Sequence, residues 1–166
     1  HEDHIGGIPY LLQNVTVPVI YAPPLAAALI RDRIKEFKLQ DATVVRDYEP
    51  DDVYATKHFK IEFCAINHSI PDSFGIRVET PNGAIFSTGD YKFDWTPLGH
   101  NANIGKLAEF GKEGVELLMA DSTNAEVEGY TLDEKKVIAN INNLFLKAKG
   151  RIIISSFASN VHRLQH

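Results

Sequence analysis

The sequence has only one cysteine, Cys64, among its 166 residues, and this limits the classes of protein to which it can belong. A single cysteine excludes an internal disulfide framework and a cysteine-rich zinc ribbon. Cys64 stands in the apolar run IEFCAI, so we expect a small buried side chain. A chain without disulfides suits a reducing compartment, and the location we expect is the cytoplasm.

Long apolar runs and an excess of basic residues are also missing. No run approaches the roughly 20 residues of a membrane-spanning helix, so we expect no membrane association. The formal net charge of −5 disfavours non-specific binding to nucleic acid, although bound divalent cations would offset negative charge locally. With 44% hydrophobic and 23% charged residues, the composition is that of an ordinary globular domain.

Strand and helix patterns alternate along the chain. Runs rich in β-branched and apolar residues predict strands at 15–23, 42–48, 59–67, 115–121 and 151–159, the first and last of them buried. Apolar residues at helical spacing predict helices at 5–14, 23–39, 106–114, 131–150 and from 160 onward. A hairpin around Pro-Asn-Gly is predicted within 74–90. For the 131–150 helix we expect Thr131 as N-cap and Gly150 just past the end. The alternation predicts an α/β fold with a mixed sheet.

Three groups of potential metal ligands lie where predicted strands meet loops. His1, Asp3 and His4 open the chain, in what we expect to be an extended or turning loop that faces two neighbouring ions. His68 and Asp90 each follow a predicted strand, and Gly89 permits a tight backbone before Asp90. Imidazole nitrogen and carboxylate oxygen suit Zn²⁺ or Mn²⁺, and a carboxylate can bridge two metals. Each group alone is weak, because a lone histidine or a Gly-Asp pair is more often structural.

Together these groups resemble the metal motifs of the metallo-β-lactamase superfamily. The opening HEDHIGG is similar to the end of the signature HxHxDH, and the segments around His68 and Asp90 resemble the next two ligand motifs. More narrowly, HSIPDSFGIRVETPNGAIFSTGDYKFD, LLMADSTNAE and GRIIISSFASNVHRLQ resemble the ribonuclease J family, a branch of the β-CASP nucleases. This resemblance implies a partial metallo-β-lactamase αββα sandwich over 1–130, running into the start of a β-CASP domain over 131–166.

The resemblance also implies roles for individual residues. Two divalent metal ions, Zn²⁺ first with Mn²⁺ or Mg²⁺ as alternatives, would be bound by His1, Asp3, His4, His68 and Asp90, the last bridging both. Asp3 would also accept a hydrogen bond from the nucleophile, and Asp121 would orient a histidine further along the chain. Ser156, Ser159 and Asn160 lie at a predicted strand-to-helix turn, where RNA-backbone contact competes with an ordinary N-cap.

The activity implied by the resemblance is metal-dependent hydrolysis of RNA, both endonucleolytic and 5′-to-3′ exonucleolytic, by a homodimer or homotetramer. The signature's first histidine and the distal histidines of the family are not in this chain. We therefore expect a fragment that is inactive alone and binds metal weakly or not at all. Two alternatives stay open: a small-molecule ester or thioester hydrolase of the same superfamily, and a non-catalytic RNA-binding homologue.

Overall fold

A computed structural model describes residues 1–157, 159–161 and 165, and the chain divides into two compact units, 1–49 and 50–166. Each unit has its own sheet. No helix in the described ranges is long and apolar enough to cross a bilayer. The histidines at 162 and 166 lie outside the described residues, as does most of the helix predicted from residue 160.

The first unit is built around a parallel strand pair and the helix that connects the two strands. Its elements are α1 (Glu2–Ile5), α2 (Ile8–Asn14), β1 (Val19–Ala22), α3 (Pro24–Glu36) and β2 (Val44–Asp47). The apolar side chains of α3 recur at helical spacing and bury Ala27, Ile30 and Ile34 against Leu12 and Ala22. The helices and strands predicted for this unit are confirmed, although β1 is shorter than predicted and only Ala22 in it is fully buried.

The second unit has a five-stranded sheet in the order β3-β4-β5-β6-β7. Its elements are β3 (Val53–Ala55), β4 (Lys60–Ala65), β5 (Phe74–Thr80), β6 (Gly83–Ser87), α4 (Ile104–Glu113), β7 (Leu117–Met119) and α5 (Glu134–Lys147). Strands β3 to β6 are antiparallel neighbours and β7 is parallel to β6, so the predicted mixed sheet is confirmed. The short strand β3 was not predicted.

The core of the second unit lies between the sheet and α4. Cys64, Phe86 and Phe110 are buried together, and the two rings stand 5.8 Å apart between centroids. Cys64 is 0% exposed, which confirms the expected small buried side chain. The predicted hairpin is also confirmed, since β5 and β6 pair from Ile76 with Ser87 to Thr80 with Gly83.

The predicted caps of α5 are wrong. The helix begins at Glu134 after Asp133, not after Thr131, and it ends at Lys147, with Ala148 already extended. The physical reason at the start is a tertiary contact, because the Asp94 carboxylate accepts the Glu134 backbone N–H at 2.9 Å. A distant side chain thus caps the helix in place of the local hydroxyl.

The buried strand predicted at 151–159 is not formed among the described residues of that segment. Ile153 is 88% exposed and Phe157 is 76% exposed. A β-branched run becomes a strand only when it pairs with a neighbour and buries one face. Nothing in the described ranges pairs with this segment, so its propensity alone does not produce a strand.

Gly75 in β5 tests how tightly the second core is packed. A Cβ at this position would lie 2.6 Å from Cζ of the buried Phe86 ring. We expect Gly75→Ala to lower the free energy of unfolding by about 1–3 kcal/mol, because the ring must leave its packed position. Urea unfolding of the two proteins measures the difference.

Gly111→Ala is the matched control, since a Cβ there meets nothing within 4 Å in helix α4. We expect this change to raise stability by roughly 0.5–1 kcal/mol, because alanine restricts the unfolded chain and favours helix. Equal stability of Gly75→Ala and the parent would contradict the packing described for β5 and β6.

Candidate metal centre

Three strands of the second unit run in the same direction and end at one edge of the sheet. Strand β5 is antiparallel to both β4 and β6, and β7 is parallel to β6, so β4, β6 and β7 share a direction. His68 follows the end of β4, Asp90 follows β6 and Asp121 follows β7. The sheet topology therefore brings together three residues that are far apart in sequence.

His68 and Asp90 form the closest pair at this edge. The His68 Nε2 atom lies 3.6 Å from Asp90 Oδ2, and the side chains are 22% and 29% exposed. Gly89 precedes Asp90 with φ of +57°, a left-handed conformation that favours glycine and turns the chain sharply after β6. The pair is thus half-buried, and the turn at Gly89 fixes the position of Asp90.

The His68 ring is in the protonation state that binds metals. Burial lowers the pKa of the imidazole, and the nearby Asp90 and Asp121 carboxylates only partly oppose this effect. The ring is therefore neutral at neutral pH, which is the form of histidine that binds metals. Ser69 Oγ lies 3.5 Å from the same Nε2 atom.

Asp121 is held at the end of β7 by local hydrogen bonds. Its carboxylate accepts the Thr123 hydroxyl at 2.6 Å and the Thr123 backbone N–H at 2.9 Å. Its own N–H donates to Thr88 Oγ1 at 3.1 Å, which ties it to the end of β6. The Thr123 hydrogen bonds lower the pKa of Asp121, so this carboxylate is ionised over the neutral range.

The first unit holds the other three predicted ligands, and the expected loop is wrong here. Residues Glu2–Ile5 form one helical turn, α1, with His1 as its N-cap residue. Acidic residues in the first turn favour the helix start, and the Gly6 N–H donates to Glu2 O at 2.7 Å. Asp3 Oδ2 lies 3.6 Å from His4 Nε2, with both side chains largely exposed.

The ligand atoms within each unit fit a divalent cation in their chemistry. In the second unit a neutral imidazole nitrogen faces a carboxylate oxygen at 3.6 Å. Zinc bonds of about 2.0–2.2 Å in a tetrahedral shell place two ligand atoms roughly 3.4 Å apart, so this separation suits one shared ion. The assignment of His1, Asp3, His4, His68 and Asp90 to two ions stays a prediction.

A cleft of about 470 Å³ opens beside His68 in the second unit. The loop 69–74 forms one part of its lining, and His100, Asn101 and Asn103 contribute to it from the segment before α4. His68 lines the same cleft, so a molecule bound there would lie next to the imidazole.

The predicted substrate contacts lie near the end of the chain. Ser156 is exposed, Ser159 is half-buried and Asn160 is 5% exposed. The Asn160 amide donates to Ser156 Oγ at 3.4 Å, and the Val161 N–H donates to the Ser159 carbonyl at 2.8 Å. These bonds join the residues of the predicted turn to one another. Their contact with RNA stays a prediction.

A cluster of three charged residues beside the site was not predicted from the sequence. Lys92, Asp94 and Glu134 lie together, with Asp94 and Glu134 buried and Lys92 half-buried. The available signal was the alternation in Asp-Tyr-Lys-Phe-Asp-Trp, where polar and aromatic residues occupy opposite faces of an extended segment. The usual assignment puts the aromatic face inside, whereas here Phe93 and Trp95 are 57% and 74% exposed.

Comparison with solved structures defines the class of fold. A protein of unknown function from Enterococcus faecalis matches 90% of this chain and 38% of its own, with a TM-score of 0.63 and 20% identity. Zn²⁺-bound PqqB from Methylobacterium extorquens has a TM-score of 0.51 at 15% identity, over 79% of this chain and 45% of its own. Unliganded yeast PDE1 has a TM-score of 0.53 at 14% identity, over 99% of this chain and 60% of its own. The structural neighbours are metallo-β-lactamase fold proteins, and the predicted α/β fold with a mixed sheet is confirmed.

Sequence comparison gives the narrower relationship. Ribonuclease J of Mycoplasma pneumoniae is 46% identical over 164 residues, and ribonuclease J 1 of Streptococcus pyogenes is 46% identical over 165 residues. Each match covers 99% of this chain and 29% of the relative, so the chain spans under a third of these relatives' length. No protein-family model matches the chain. The chain is similar to ribonuclease J along 99% of its length, as the motifs predicted.

The hydrogen bond from the Thr123 hydroxyl lowers the pKa of Asp121, and this effect can be measured. We expect Thr123→Val to raise the pKa of Asp121 towards its ordinary value, because the variant keeps the backbone N–H but loses the hydroxyl donor. A carboxylate with a lowered folded-state pKa contributes stability above its unfolded pKa and loses it as the pH falls through the folded value. The variant should therefore lose less stability on acidification.

Carboxyl-carbon NMR titration of Asp121 measures this shift directly. Ser122→Ala is the control, since the hydroxyl that donates to the Asp121 carboxylate belongs to Thr123 and not to Ser122. An Asp121 titration that is the same in Thr123→Val and Ser122→Ala would show that the hydroxyl bond does not set the pKa.

Proposed function

We propose that the complete protein is a metal-dependent ribonuclease that hydrolyses RNA phosphodiester bonds, both internally and from the 5′ end. The observation that carries this proposal is the 46% identity to ribonuclease J over 99% of the chain. The geometry of the second unit supports it, because His68 and Asp90 meet at the sheet edge with the nitrogen and oxygen donors that a catalytic metal requires.

The proposed ligands of the two divalent ions are His1, Asp3, His4, His68 and Asp90. Zn²⁺ is the first choice, with Mn²⁺ and Mg²⁺ as alternatives, and the Zn²⁺-bound state of the fold neighbour PqqB supports that order. When bound, a metal pair supplies a hydroxide nucleophile at neutral pH and offsets the charge on phosphoryl oxygens. The ions would also neutralise several negative charges of an acidic chain that acts on a polyanion.

The other predicted residues act around that centre in the proposal. Asp3 accepts a hydrogen bond from the nucleophile and so fixes its orientation. Asp121, ionised and held by Thr123, accepts a hydrogen bond from a histidine elsewhere in the complete protein and orients its ring for proton donation. Ser156, Ser159 and Asn160 contact the RNA backbone.

The organisation of the complete protein belongs to the same proposal. We assign residues 1–130 to a metallo-β-lactamase domain and 131–166 to the start of a β-CASP domain, with α5 as its first helix. A homodimer or homotetramer in the cytoplasm is the proposed state. The support for these assignments is the similarity to ribonuclease J, and light scattering of the purified protein tests the oligomer.

Removal of a proposed ligand should abolish metal binding and RNA cleavage together. We expect Asp3→Ala, His68→Ala and Asp90→Ala to lose bound metal and to cleave 5′-monophosphorylated RNA at least about 100-fold more slowly, since even outer-shell changes cost 10–100-fold. His58→Ala is the matched control, because this histidine is exposed in the second unit. Metal analysis and labelled-RNA cleavage on the complete protein provide the two measurements.

The same experiment separates the competing functions. Turnover of a thioester without cleavage of RNA would replace the proposal with a small-molecule hydrolase. Binding of RNA without metal or cleavage would indicate a non-catalytic homologue. Metal content in His68→Ala and Asp90→Ala equal to that of the parent would show that the ligand assignment is wrong.

A further inference from the structure

A buried cluster of three charges lies next to the candidate metal centre. Lys92 Nζ lies 2.6 Å from Glu134 Oε1 and 3.5 Å from Asp94 Oδ2. The side chains of Lys92, Asp94 and Glu134 are 15%, 1% and 6% exposed. We call these three residues the charged cluster. All of them belong to the second unit, and Lys92 and Asp94 come from the segment that carries Asp90.

The charged cluster joins the Asp90 segment to the start of α5. Asp94 Oδ2 accepts the Glu134 backbone N–H at 2.9 Å, and Asp94 Oδ1 accepts the Thr96 N–H at 2.8 Å. The Glu134 carboxylate in turn accepts a hydrogen bond from the Lys92 ammonium. The cluster therefore closes a ring of contacts between a loop and a helix that are 40 residues apart.

The backbone of Lys92 extends this connection to the His68 loop. The Lys92 N–H donates to the Asn67 carbonyl at 2.8 Å, and the two residues form an isolated antiparallel bridge. Asn67 is itself fixed, since its amide donates to His100 O at 2.7 Å and its Oδ1 accepts the Ala102 N–H at 3.3 Å. One residue before His68 and two residues after Asp90, the two loops are thus bonded to each other.

Stability alone is a poor explanation for this arrangement. Buried ion pairs lose much of their Coulomb attraction to desolvation, and apolar replacements of similar volume are often equally stable. The charged cluster has two carboxylates and one ammonium, and it lies between the loop of Asp90 and a helix end rather than in an apolar core. What it supplies is a defined geometry, because both Asp94 carboxylate oxygens, Glu134 Oε1 and the Lys92 ammonium form hydrogen bonds of 2.6–2.9 Å.

We infer that Lys92, Asp94 and Glu134 are positioning residues that hold Asp90 opposite His68 and tie the start of α5 to the metal-binding edge of the sheet. This inference rests on the proposed function, because it assumes that His68 and Asp90 bind metal. Outer-shell contacts of this kind set the orientation of metal ligands, and their loss weakens metal binding about 10–100-fold.

Glu134→Gln tests the inference with little change in shape. The variant leaves the Lys92–Asp94 charge pair and the Asp94 cap of α5 in place but removes the carboxylate from Lys92. We expect the complete protein to bind Zn²⁺ about 10-fold or more weakly than the parent, measured by competition with a chelating dye. In the Co²⁺-substituted protein we expect altered visible absorption bands, because these report the geometry of the ligands.

Conservative replacement and a matched ion pair separate positioning from stability. Lys92→Arg should retain more of the Zn²⁺ affinity than Lys92→Met, because arginine keeps the charge and the donors. Glu62→Gln removes a carboxylate from the buried Arg77 in the same sheet, where the two side chains are 14% and 6% exposed. We expect this control to lower the unfolding midpoint while leaving the Zn²⁺ affinity and the Co²⁺ spectrum unchanged.

The outcomes distinguish this inference from the proposed function. Loss of metal in Asp90→Ala, together with parental affinity and spectrum in Glu134→Gln and Lys92→Met, would overturn the positioning role alone. Parental metal content in Asp90→Ala would overturn the ligand assignment and this inference with it. Equal losses of affinity in Glu62→Gln and Glu134→Gln would show a general effect of stability and would also overturn the inference.

Discussion

The contact between Lys92 and Glu134 is the constraint on which the candidate site depends most. It fixes the segment after Asp90 from the side, while the backbone bond from Lys92 to Asn67 fixes it against the His68 loop. Without these bonds, two irregular loops would leave the sheet edge independently. With them, an imidazole nitrogen and a carboxylate oxygen stay 3.6 Å apart and half-buried. The relative position of His68 and Asp90 therefore depends on the sheet and on helix α5.

The sheet supplies the other part of this geometry. Because β4, β6 and β7 share a direction, the residues that follow them meet at one edge although they come from distant positions in the chain. The left-handed Gly89 turns the chain before Asp90, and Thr88 bonds the end of β6 to Asp121. The polar residues lie at the ends of strands that share a direction, whereas the apolar core lies between the sheet and α4. A metal bound at the strand ends would therefore not disturb the core.

Local patterns in the sequence predicted most elements of the fold. The helical period of α3, the Pro-Asn-Gly hairpin and the apolar strand β4 are each determined by residues close in the chain, and the structure confirms them. The errors occur where a distant partner decides. Helix α5 begins at Glu134 rather than after Thr131, because Asp94 accepts the Glu134 N–H. The isoleucines at 152–154 form no strand, because nothing in the described part of the chain pairs with them. The charged cluster could not be predicted from local patterns for the same reason, since no spacing rule connects Lys92 with Glu134.

An anomalous-scattering experiment tests directly whether His68 and Asp90 bind a metal ion. Crystals of the complete protein grown with Zn²⁺ would be measured on both sides of the zinc absorption edge. We predict an anomalous peak at about 2.0–2.2 Å from a His68 ring nitrogen and an Asp90 carboxylate oxygen. Well-ordered His68 and Asp90 side chains without a peak, in a crystal that binds zinc elsewhere, would contradict it.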